Sequence, residues 1–166
     1  MRNILTLFAA GMLLTTSASS VLANTKTSKT FSGWQVECVE TDKAKICGMS
    51  QVLVNQKTKQ RVMSMTLRKP KGEETKVVFQ VPLGANLASG VNLTLDNAQP
   101  VMFGYKTCLP KGCIAEFKLT EEWVTALGGG ANCTVSVIDL KGESVPFKIG
   151  LKGFTDAYKY FSAEAP

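Results

Sequence analysis

Phe31-Ser32-Gly33-Trp34-Gln35-Val36-Glu37-Cys38 alternates, with Trp34, Val36 and Cys38 on one face. A two-residue period of this kind is the signature of a half-buried β-strand. Working outward, the pattern recurs. Ile46 to Val54 and Val62 to Leu67 are further runs, separated by the polar turn Asn55 to Gln60, and Lys69-Pro70-Lys71-Gly72 closes the second of them. Thr75 to Val81 is rich in β-formers and ends at Pro82, which has no N–H to give a sheet ladder. Val91, Leu93 and Leu95 alternate with Asn92, Thr94 and Asp96. Val101 to Cys108 and Cys113 to Leu119 flank Leu109-Pro110-Lys111-Gly112, whose proline and glycine suit a type I turn. Asn132 to Leu140 and Val145 to Leu151 flank Lys141-Gly142-Glu143, another hairpin signal.

Two stretches read as helix. Thr120 to Leu127 begins with a capping threonine and two acids, and it stops at Gly128-Gly129-Gly130. Phe154 to Phe161 places apolar residues at helical spacing. Many short strands with one or two short helices predict a mainly β chain, an antiparallel sandwich.

The start of the chain has a different character. Arg2 precedes the apolar stretch Ile4 to Leu14, a Ser/Thr-rich segment follows, and Val21-Leu22-Ala23 is a small-residue cleavage pattern. This reads as an export signal over residues 1–23; the apolar run falls short of the roughly 20 residues a bilayer span needs, and no transmembrane helix is expected in the mature chain. Residues 24–30 (NTKTSKT) lack apolar periodicity and read as a flexible arm, leaving 31–166 as a single domain. The expected location is exported: periplasmic, associated with the outer membrane, or secreted.

Export gives the cysteines their context, because disulfides persist outside the cytoplasm. There are five. Cys38 and Cys47, and Cys108 and Cys113, are spaced for local bridges within or between adjacent strands, whereas neither spacing matches usual zinc motifs. Cys133 is left over. It sits in the alternating run Ala131 to Val137 and reads as a buried thiol in preference to an intermolecular bridge.

At this point the residues resemble a known family. Phe31 to Cys38, Cys47-Gly48-Met49-Ser50-Gln51, the run Pro82 to Val91, Cys108 to Ala115 and Gly153-Phe154-Thr155-Asp156-Ala157 match, in order, the invasion-associated locus B proteins of Gram-negative bacteria. The resemblance spans about 31–158. It implies an immunoglobulin-like β-sandwich that is exported and linked to host-cell invasion or envelope function. It implies no catalytic residue, and only the four paired cysteines carry over, as structural bridges.

The residues point the same way on chemistry. The chain has 166 residues and no histidine, which excludes Ser-His-Asp and Cys-His catalysis, histidine bases and zinc sites with a histidine ligand. Glu73-Glu74 and Glu121-Glu122 are adjacent pairs, and neighbours in sequence do not face one pocket as a catalytic dyad does. Gly128 to Gly130 lacks the Lys-Ser/Thr of a phosphate loop. No enzyme activity, metal or cofactor is expected. Formal net charge is +6, and +5 once Arg2 leaves with the signal. The densest cations are Lys57, Lys59 and Arg61, with Arg68, Lys69 and Lys71. They read first as two charged hairpin ends. As a contact they would suit an anionic surface of the envelope or host rather than nucleic acid, from which export separates the chain. The expected partner is a protein or an anionic surface of the envelope or host. An alternative is a lipid or small ligand held between the sheets by Met49, Met63, Met65 and Met102, which more simply fill core.

Overall fold

The computed structural model describes residues 25–166; the predicted signal and Asn24 lie outside the described residues. The strands are β1 Thr25–Phe31, β2 Trp34–Glu40, β3 Lys45–Val54, β4 Arg61–Arg68, β5 Lys76–Val81, β6 Val91–Leu95, β7 Val101–Phe103, β8 Tyr105–Leu109, β9 Gly112–Lys118, β10 Asn132–Ile138 and β11 Ser144–Gly150. Helix α1 is Glu121–Gly129 and α2 is Phe154–Glu164. They form a seven-stranded sheet, β1-β2-β3-β4-β5-β9-β8, and a four-stranded sheet, β11-β10-β6-β7, antiparallel throughout. The antiparallel sandwich that the alternation predicts is what forms.

Alternation explains the core directly. Trp34, Val36 and Cys38 face inward from β2, and Cys47 and Met49 face inward from β3. Met63, Met65 and Leu67 continue the layer on β4, and Val77 and Phe79 on β5. Val91 and Leu93 of β6, Val135 and Val137 of β10 and Ile149 of β11 close it from the small sheet. Gln51, nearly buried, ties the sheets by donating from Nε2 to the Gly150 carbonyl at 3.2 Å. Helix α2 covers the inner face of β1 to β3, burying Phe154, Ala157 and Phe161. Its N-cap is Gly153, whose φ is +85° and where a Cβ would come within 2.6 Å of the Phe31 carbonyl oxygen. A glycine is required there on both counts.

Both local bridges are present. Cys38 faces Cys47 across β2 and β3, and Cys108 faces Cys113 across β8 and β9. Loop-closure entropy assigns each bridge about 2–3 kcal/mol. Cys38→Ser with Cys47→Ser should lower the unfolding free energy by that amount in urea titration. An unchanged midpoint would mean that the hairpin is as ordered in the unfolded chain without its bridge.

Three local expectations need correction. The expected flexible arm, 24–30, is strand β1 over its described residues, paired residue for residue with β2 from Thr25↔Glu40 to Phe31↔Trp34. The strand is an exposed edge, so its side chains need no apolar alternation; the backbone ladder holds it, and Lys29 lays its ammonium 4.6 Å from the centre of the Tyr160 ring. The run from Val101 to Cys108 is two strands, broken at Gly104, with β7 in the small sheet and β8 in the large one. Thr120 holds the N-cap position of α1 but makes no side-chain bond to a helical N–H.

Candidate functional site

The first five strands are a meander, so alternate turns share an end of the sheet. The β2–β3 turn, residues 41–44, and the β4–β5 connection, residues 69–75, therefore sit side by side. Thr41 fixes the first: its hydroxyl donates to the Ala44 carbonyl at 3.0 Å and accepts from the Ala44 N–H at 3.1 Å. In the second, the Glu73 N–H donates to the Pro70 carbonyl at 3.0 Å. The end of α2 arrives at the same place, where Lys45 bonds Glu164.

Between these pieces lies a cavity of about 500 Å³. Its apolar lining includes Ala44, Ile46, Pro70 and Pro166, with Cys47 at the disulfide behind. Lys43, Lys45, Arg68, Lys69 and Lys71 supply its charge. These cations are not equivalent. Lys45 is engaged by Glu164, and that hydrogen bond raises its pKa despite the opposing effect of desolvation. Arg68 donates to Glu116 at 3.3 Å, and Lys106 reaches the other oxygen of the same carboxylate at 3.2 Å. Desolvation pushes Glu116 upward, but its bonds to Lys106 and Arg68 outweigh that and hold it below the usual carboxylate range. Among the described residues, Lys43, Lys69 and Lys71 make no ion pair.

The two basic groups singled out from sequence are therefore separate places. Lys57, Lys59 and Arg61 occupy the β3–β4 turn, where Asn55 Oδ1 accepts the Lys57 and Thr58 N–H groups. Arg68, Lys69 and Lys71 lie at the far end of β4, roughly 23 Å away at strand rise. Only the second group reaches the cavity, and there it meets Lys43 and Lys45, which sequence proximity did not suggest. The signal was present: bridging Cys38 to Cys47 makes residues 41–44 a hairpin tip, and a meander puts that tip beside the turn after β4.

The remaining residues of interest sit apart from the cavity. Met49, Met63 and Met65 are fully buried core, and Met102 is exposed on β7. Glu73 pairs with Lys76 at 2.6 Å and Glu74 with Lys118, both at the surface. Cys133 is buried as a free thiol. Among the described residues no cluster of three metal-ligating side chains occurs and no helix is long and apolar enough to cross a membrane.

The chain is thus a disulfide-stapled antiparallel β-sandwich whose basic end encloses a half-open apolar cavity. Residues 34–162 match the family model of the invasion associated locus B (IalB) protein. The chain belongs to that family. It is similar to the invasion protein B homologue of Brucella abortus (strain 2308), 35% identical over 127 residues that cover 76% of this chain and 73% of the relative. It is also similar to invasion protein B of Bartonella bacilliformis, at 24% identity over 96% of both chains. The crystal structure of invasion associated protein B from Bartonella henselae has the same fold, with a TM-score of 0.73 at 23% identity, covering 82% of this chain and 95% of that one.

Proposed function

We propose that this protein is exported, non-catalytic, and works at the cell envelope or in host-cell invasion by contacting an anionic surface with the lysine-rimmed end of its large sheet. The names of its relatives support a role in invasion. The two disulfides are compatible with export. The absence of histidine and the pairing of Glu73, Glu74 and Glu116 with cations favour binding over chemistry. The observation that carries the surface reading is the convergence of Lys43, Lys69 and Lys71, none ion-paired among the described residues, around one concavity. Each lysine held near an anionic bilayer is worth about 1 kcal/mol, and the attraction fades as salt rises.

The test is cosedimentation of residues 24–166 with phosphatidylglycerol-containing and pure phosphatidylcholine vesicles. Binding should require the anionic lipid, weaken with salt, and fall at least tenfold in K43E/K69E/K71E. The matching variant at the other end, K57E/K59E/R61E, should lose much less. Equal binding to both vesicles, or equal loss from both variants, refutes the assignment of this end.

A further inference from the structure

Charge alone does not account for the shape of the basic end. A surface that merely attracts anions can be flat and polar. Here the cations surround an apolar hollow, and Ile46, a strand residue on its wall, stays 68% exposed to water. Binding sites for small molecules have this construction: mostly apolar walls and a few polar groups that fix orientation. At about 500 Å³ the cavity is toward the smaller end of such sites, which run from about 300 to 1,000 Å³. That suits one alkyl tail rather than two. Three lysines without ion pairs at its rim suit a compact anionic head, since the ammonium group acts as a point charge on carboxylate or phosphate.

We propose that this cavity binds one molecule of a single-tailed anionic amphiphile, with the tail against Ala44, Ile46, Pro70 and Pro166 and the head held by Lys43, Lys69 and Lys71. The inference rests on the anionic-surface reading of the same end and sharpens it. Surface attraction needs the lysines only, whereas uptake of a monomer needs the hollow as well. The head chemistry is a carboxylate, as in a fatty acid, or a phosphate, as in a lysophospholipid.

Native mass spectrometry and calorimetry on delipidated residues 24–166 test it, with palmitate, lysophosphatidylglycerol, lysophosphatidylcholine and inorganic phosphate as separate probes. The expected result is one-to-one binding of palmitate or lysophosphatidylglycerol; which of the two binds more tightly identifies the head. Lysophosphatidylcholine should bind at least tenfold more weakly, and phosphate alone should give no heat. Ile46→Trp fills the hollow and should weaken amphiphile binding at least tenfold; vesicle binding, which the lysines carry, should not fall, since an interfacial tryptophan adds to it. Val52→Trp, at another exposed position of β3 outside the cavity, should change neither. No one-to-one complex, or binding indifferent to Ile46→Trp, overturns the cavity assignment and leaves the surface reading standing. Phosphate binding as tight as the amphiphile reduces the site to an anion site and overturns it too. Monomer binding without vesicle binding overturns the surface reading instead.

Discussion

Replacing Trp34 with alanine is expected to lower the unfolding free energy by about 3–5 kcal/mol, the range for truncating a buried large aromatic. Trp34 is fully buried at the start of β2. Its ring meets Phe154 edge-on at 5.3 Å between centroids, and Phe154 is the first residue of α2. The side chain therefore joins three things: the inner face of the large sheet, the seat of α2, and the common core. Alanine leaves a hole that a meander crossed by a helix cannot close by a small shift, which is the condition for the upper part of the range. The indole carries one liability, because Nε1 is buried without a hydrogen-bond partner among the described residues. Trp34→Phe removes that donor and keeps an aromatic against Phe154, so it should cost clearly less than alanine. Trp123 remains as the fluorescent reporter in both variants. Urea unfolding that shows Trp34→Ala within 1 kcal/mol of the parent would mean that α2 docks without this contact.

The same region shows how far sequence reading goes. Trp34, Val36 and Cys38 could be placed on the core face because one side of β2 is buried and the other is wet, and alternation records that difference. Strand β1 left no such record. It is an edge strand, exposed along nearly its whole length, and a backbone ladder has no sequence signature. The break at Gly104 was hidden for another reason: β7 and β8 each look like strand, and nothing local says that they belong to different sheets. The cavity was half legible. Arg68, Lys69 and Lys71 stood out as a cluster, but grouping them with Lys57, Lys59 and Arg61 followed chain distance, and an extended strand carries near neighbours in sequence far apart in space. Lys43 and Lys45 reach the site by topology alone, through the turn that the Cys38–Cys47 bridge closes.

Above pH 8.5 the parent protein should lose stability faster than a Cys133→Ala variant, by about 1.4 kcal/mol for each pH unit, flattening near pH 12 to a total of roughly 4–5 kcal/mol. Cys133 points inward from β10, opposite Leu95 of β6 and Ile149 of β11, and is fully buried. Burial pushes its thiol up to about 12, with the negative charge of Asp96 adding to the effect. An unfolded cysteine titrates near 8.5. Below that pH both states keep the proton and the contribution of the neutral buried thiol is fully present. Between 8.5 and about 12 the unfolded chain gives up a proton that the folded chain retains, so stability falls as pH rises. Every other titratable group is common to both proteins, so the difference in slope isolates the thiol. The constant offset from the lost sulfur does not affect that slope. Urea midpoints read at once after mixing, before exchange begins, supply the measurement. Equal slopes would mean that water or a cation reaches Cys133 in the folded chain. The expected difference also bears on the bridges. A thiolate is the species that attacks a disulfide, and the fold suppresses that species at the one cysteine free to form it.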